Sequence, residues 1–177
     1  KWVRNAIRHS KINKEKILIG SNESWLIWSL TKRKVHATDS TNAARTLLFN
    51  IHTLNWDNEL LNLFSVKRSM LPEVFPCDSI FGTTTLNGLS TEIPIAGVMG
   101  DSHGALAGQM CFDQGMGKAT YGTGSSIMIN IGEEALLPPD GLVTSVAFTA
   151  LGKTYYAFEG NVHYTGATIK WMEDELE

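Results

Sequence analysis

The chain has 177 residues, 43% of them hydrophobic, enough to bury the core of one ordinary domain or of two partial ones. Its formal charge of −3 gives no basic field of the kind that holds nucleic acid or an anionic membrane surface, so neither is expected as a partner. No apolar run approaches the roughly 20 residues of a membrane helix, and two cysteines, Cys77 and Cys111, make neither a disulfide framework nor a metal cluster.

The first residues, KWVRNAIRHS, lack the apolar stretch of a signal peptide, so a cytoplasmic setting is the default expectation. The chain opens on Lys1 and closes on EDELE, which places acids where the negative end of a helix dipole disfavours them. It therefore reads as a piece of a longer chain.

In chain order, Ser21 is placed to cap a helix over NESWLIWSL, whose many apolar residues, Trp25 and Trp28 among them, predict burial. TDSTNAARTLLFNIHTLNW mixes a short helix with extended segments, and Asp57 is placed to cap NELLNLF, where Leu60, Leu61 and Phe64 recur at helical spacing. LPEVFPCDSIFGTTTLNG, with Pro72, Pro76 and Gly82, predicts loop and short strand, and Ile93 to Val98 predicts a buried strand. A helix is expected from Asp101, then two strands broken at Gly122 to Gly124, a hairpin turning at Gly152 and Lys153, and a last helix from about Asn161. The mixture is an α/β chain.

Two stretches carry chemistry. A carboxylate past the end of a strand faces the crevice where α/β sheets bind ligands, which makes Asp101 a candidate base, although Asp101 or Ser102 could equally be the cap of the following helix. In TYGTGSS, the turn Gly122, Thr123, Gly124 can aim successive N–H groups and a hydroxyl at a phosphate, or be an ordinary hairpin turn. Together they suggest phosphoryl transfer to an alcohol, in which the protein positions groups while a base accepts the nucleophile's proton. Other candidates point elsewhere: His103 reads as a surface or cap residue, Lys118 as a solvated strand-edge lysine, and His36, His52 and His163 as no ligand cluster.

Six blocks in order, WLIWSLTKRKVHATDSTNAARTLLFNIHTLNWDNELL, RSMLPEV, IPIAGVMGD, GALAGQMCF, GMGKATYGTGSSIMINIGE and YAFEGNVHYTGATIKW, resemble the FGGY carbohydrate kinases, and within that family the glycerol kinases. The resemblance implies an actin and hexokinase type (ribonuclease H-like) fold, present in part. Residues 1–100 would be the C-terminal part of the substrate domain and 101–177 the start of the nucleotide domain. It further implies ATP, Mg²⁺ held mainly through the nucleotide phosphates, and a small sugar or polyol acceptor. It leaves assembly into homo-oligomers open.

By the same resemblance Asp101 matches the catalytic base. Thr123, flanked by Gly122 and Gly124, matches a nucleotide-phosphate contact. Gly166 matches a position beside the nucleotide, and Lys170 stands where glycerol kinases usually carry a glutamine. Trp2 matches an aromatic wall of the polyol pocket. Ser40 and Ser102 replace the tyrosine and glutamine of the glycerol pocket. Those two shorter side chains give room to a larger acceptor, so the expected substrate is a pentulose such as xylulose. The alternatives are glycerol, or a non-catalytic sensor of the same fold. Without the family's upstream phosphate hairpin and downstream adenosine loop, the 177 residues alone are expected to be inactive.

Overall fold

The computed structural model describes residues 17–85 and 90–176, which leaves Trp2 outside the described residues. Helix α1 (Asn22–Leu30) starts after Ser21, whose hydroxyl binds Glu23 Oε1 at 2.5 Å rather than a backbone N–H. Only Ser24 and Ile27 of α1 are buried, and Trp25 is 67% exposed. The expected burial of the whole helix is thus corrected: a single stripe packs, with Ile27 meeting Ala37 and Phe81.

Strand β1 (Ala37–Asp39) runs into the one-turn helix α2 (Ser40–Ala43), and a small hairpin of β2 (Phe49–Asn50) and β3 (Asn55–Trp56) follows. Helix α3 (Asn58–Phe64) begins as expected at Asp57, whose carboxylate accepts from the N–H groups of Glu59 and Leu60 at 2.9 and 3.1 Å. Strand β4 (Glu73–Phe75) then pairs parallel to β1.

The expected buried strand over 93–98 is corrected. Only Ile93–Pro94 form a strand, β6, paired with β5 (Thr83–Thr84), and both its residues are exposed. Pro94 has no N–H for a second ladder, and the segment from 95 to 100 lies outside any sheet. Isolated backbone bonds tie it down instead: Ile95 N–H donates to Gly82 O at 2.8 Å and Val98 N–H to Cys77 O at 3.0 Å. Helix α4 (Asp101–Gly108) follows where expected.

The second half is a four-stranded antiparallel sheet of β7 (Gly117–Tyr121), β8 (Ser125–Gly132), β9 (Val143–Ala150) and β10 (Lys153–Val162), in the order β7-β8-β10-β9. The β9–β10 turn is Leu151 and Gly152, with φ of 53° and 75°, a left-handed pair suited to a two-residue hairpin. Lys153 is already in the strand. Asn161 belongs to β10, paired with Ser126, so the last helix, α5, spans Gly166–Glu175 rather than starting near 161.

Each face of this sheet is covered differently. Met128 and Ala157 pack under α4 against Leu106, with Cys77 and Cys111 closing the cluster. On the opposite face Ile131, Val146 and Tyr156 join Ala43, Phe49, Trp56, Leu61 and Leu71 from the first half. Both clusters therefore unite residues from before and after residue 100. Trp56, 6% exposed, meets Phe49 edge-on at 5.8 Å and donates its Nε1–H to Pro72 O at 2.9 Å. Trp56→Ala should cost about 3–5 kcal/mol in equilibrium denaturation of the chain. A loss below about 1 kcal/mol would mean that the cluster does not depend on this side chain.

Candidate functional site

Asp101 is the first residue of α4 and is exposed. The cap position belongs to Gly100, which has no side chain to offer, so neither Asp101 nor Ser102 occupies it. Asp101 Oδ1 accepts the Ser102 N–H at 2.7 Å, which orients the carboxylate and leaves Oδ2 without a donor among the described residues. The backbone before it is held at Gly100, whose N–H donates to Thr41 Oγ1 at 2.9 Å.

Around α4 lies a group of buried titratable side chains that sequence reasoning assigned to the surface or missed. His103 is 3% exposed, with Nε2 unpaired, and burial lowers its pKa; the charge of Arg45 adds to this while Glu159, Asp39 and Asp101 oppose it. The expected surface role of His103 is corrected: two residues into the helix, its side chain turns in toward the sheet.

Lys118, expected to be solvated, is 2% exposed. Register explains why. Lys118, Met128 and Glu159 stand opposite one another across β7, β8 and β10, so their side chains share the face that α4 covers. Lys118 Nζ donates to Thr120 Oγ1 at 2.9 Å. Burial lowers its pKa, opposed by the charges of Glu159 and Asp101. Glu159 is ion-paired to Arg45 and also accepts from Asn161 Nδ2 at 3.3 Å. One row further along lie Thr120, Ser126 and Asn161, and β7 and β8 then end at the Gly122–Gly124 turn. A polar strip thus runs on one sheet face from beside α4 toward that turn.

The turn itself is packed against the start of α5. A Cβ on Gly166 would lie 2.4 Å from Gly122 O, and one on Gly124 would lie 2.8 Å from Val162 O. Gly122 O accepts the Gly166 N–H at 3.0 Å, and Thr123 O accepts those of Thr165 and Ala167 at 3.0 and 3.1 Å. The turn's carbonyls therefore cap α5, while the exposed Thr123 side chain faces outward. Gly122, Thr123, Gly166, Ala167, Lys170 and Trp171 line a cavity of about 500 Å³. Four of the residues expected at the nucleotide come together there. Lys170 Nζ is 3.3 Å from Asp174 Oδ2, an exposed pair that an anion could displace.

Ser40 does not face open space. It is 3% exposed, its hydroxyl donates to Thr149 Oγ1 at 2.9 Å, and Cys77 Sγ is 3.7 Å away. The room expected from its shortness is filled by β9. Ser102 is half-buried beside Asp101. Cys77, 4% exposed, has its pKa pushed up to about 12 by burial and by the Asp39 carboxylate. Among the described residues no group of three or more His, Cys, Asp or Glu side chains could hold a metal ion.

The close approach of α5 to the turn yields a direct expectation. Gly166→Ala should cost about 1–3 kcal/mol by forcing α5 off the turn, measured by thermal unfolding. An unchanged midpoint would show that the backbone contact is not tight in solution.

Comparison with known proteins places this arrangement. Residues 1–108 match the FGGY family of carbohydrate kinases, N-terminal domain. A glycerol kinase of Shewanella oneidensis is 49% identical over 99% of this chain, which spans 36% of that protein's length. The crystal structure of Plasmodium falciparum glycerol kinase with ADP superposes with a TM-score of 0.82 at 38% identity, over 90% of this chain and 33% of that one. Ligand-bound xylulose kinase from Lactobacillus acidophilus, at 24% identity and a TM-score of 0.76 over 88% of this chain and 31% of that one, shares the fold. The fold is the actin and hexokinase type, seen here in part. With its family match covering more than half of its residues, the chain belongs to the FGGY family of carbohydrate kinases.

Proposed function

We propose that this chain is the part of an ATP-dependent glycerol kinase that carries its general base and one of its phosphate-holding turns. The observation that supports this most is the sheet face itself, where α4 presents Asp101 at one side and the Gly122–Gly124 turn closes the other. Similarity to glycerol kinases over 99% of the chain favours glycerol, the alternative acceptor of the sequence reading, over a pentulose. The burial of Ser40 against Thr149 weakens the case for a larger acceptor, because the space it would have opened is occupied. Only Ser102 still speaks for a different pocket.

In this reading Asp101, through its free Oδ2, accepts the proton of the attacking hydroxyl as its oxygen bonds to the γ-phosphorus. The bond from that phosphorus to the bridging oxygen breaks and ADP leaves. Thr123 donates its hydroxyl to nucleotide phosphate, Gly122 and Gly166 let the backbone approach, and Lys170 offers positive charge. A cavity of about 500 Å³ lined by Gly122, Thr123, Gly166 and Lys170 fits such a group. Mg²⁺ would arrive on the phosphates and neutralise developing charge. Residues 1–100 would belong to the substrate domain and 101–177 to the nucleotide domain. Because the shared core crosses that division, the two parts would meet here in a packed interface.

The full-length enzyme tests this. Asp101→Asn should lower kcat with glycerol by roughly 10²–10⁴-fold, the usual worth of a positioned base, with ATP binding held within about twofold. The wild type should prefer glycerol to five-carbon ketoses in kcat/KM. Full turnover in Asp101→Asn would support a non-catalytic role for Asp101, and a ketose preference would return the pentulose reading.

A further inference from the structure

We infer that Asp39 and Thr41 are positioning residues for the base: Asp39 fixes the Thr41 hydroxyl, and that hydroxyl fixes the backbone of Gly100, immediately before Asp101. The inference rests on the proposal that Asp101 is the base.

Asp39 and Thr41 are both fully buried. Asp39 Oδ2 accepts from Thr41 N at 2.7 Å and from Thr41 Oγ1 at 2.5 Å, while Oδ1 accepts from Asn42 Nδ2 at 2.7 Å. A threonine hydroxyl has one proton and lone pairs to spare. Once its proton is committed to a carboxylate, it can meet a third group only as an acceptor. The Gly100 N–H, 59 residues away in sequence, is that third group at 2.9 Å.

Within α4 Gly100 O accepts the Gly104 N–H at 2.7 Å, and the bond to Thr41 ties Gly100 to the first half of the chain. The segment from 95 to 100 belongs to no sheet, and Gly100, at φ −61° and ψ 147°, caps α4 without a side chain. On its other side stands His103, whose Nδ1 would be 2.8 Å from a Cβ at Gly100. A second bond draws on the same carboxylate: Cys77 Sγ donates to Asp39 Oδ2 at 3.4 Å, and Cys77 O accepts the Val98 N–H at 3.0 Å. The attachments at Gly100 and Val98 therefore both involve residues bonded to Asp39, while Ile95 further back is held by Phe81 and Gly82. If the first turn of α4 shifts, the carboxylate shifts with it, and a misplacement of about 1 Å can cost about 10²-fold in rate.

The test uses the full-length enzyme with glycerol and ATP. Thr41→Val, which keeps shape and removes the hydroxyl, should lower kcat by roughly 10–100-fold with KM for ATP within about twofold. Thr41→Ser, which keeps the hydroxyl, should stay within about threefold of wild type. Wild-type kcat in Thr41→Val, or an equal loss in both variants, overturns the inference. Should Thr41→Val fail to fold by circular dichroism, Thr41→Ser decides, and a loss of about tenfold or more in that folded variant overturns it. If the wild type does not phosphorylate glycerol, or Asp101→Asn retains full kcat, the assignment of the base has failed and the relay falls with it. If those two behave as proposed and Thr41→Val does not, the relay alone is wrong.

Discussion

The entry into α4 depends on one buried carboxylate. Asp39 is removed from water at the end of β1, and a charge so placed is tolerated only where donors surround it. It finds four, from Thr41 N, Thr41 Oγ1, Asn42 Nδ2 and Cys77 Sγ. Three come from α2, directly after it in the chain, so the tightness of that single turn follows from the need to satisfy the charge. Through Cys77 the same carboxylate reaches β9, since Thr149 N–H donates to Cys77 Sγ at 3.3 Å and Thr149 O accepts the Cys77 N–H at 2.7 Å.

Around that node the two halves of the chain are joined rather than merely adjacent. Ser40 to Thr149, Tyr156 to Ile51 and Arg45 to Glu159 all bridge them, and the hydrophobic clusters on both faces of the sheet contain residues from each half. Polar bridges of this kind contribute modestly one by one. Their larger effect is directional: a shared apolar core alone would permit sliding, whereas hydrogen bonds fix where α4 begins relative to the sheet. That start is where Asp101 stands.

Local chemistry made much of this legible in the sequence. Asp57 capped its helix because an Asp before an apolar-periodic run has two N–H groups within reach, and the two strands end at Gly122–Gly124, where a Cβ on Gly124 would lie 2.8 Å from Val162 O. Long-range pairing was not legible. Lys118 and His103 look like surface residues until the register of β7, β8 and β10 turns Lys118 under α4 and the packing of α4 on the sheet buries His103. Ile93 to Val98 looks like a core strand until Pro94 denies it a second partner. The roles of Asp39 and Thr41 were hidden for the same reason, since TDSTNAART names the donors and the acceptor but not the glycine 59 residues on that completes the set. Ser40 misled in the opposite direction, because a shorter side chain means room only where nothing else fills it.

Amide hydrogen exchange tests the node most directly. In full-length protein carrying Asp39→Asn, the Thr41 and Gly100 amides should lose protection by about tenfold or more, while amides inside β8 and β10 keep theirs. Unchanged protection at Gly100 would contradict the account, because it would show that the backbone before Asp101 is held without the buried carboxylate.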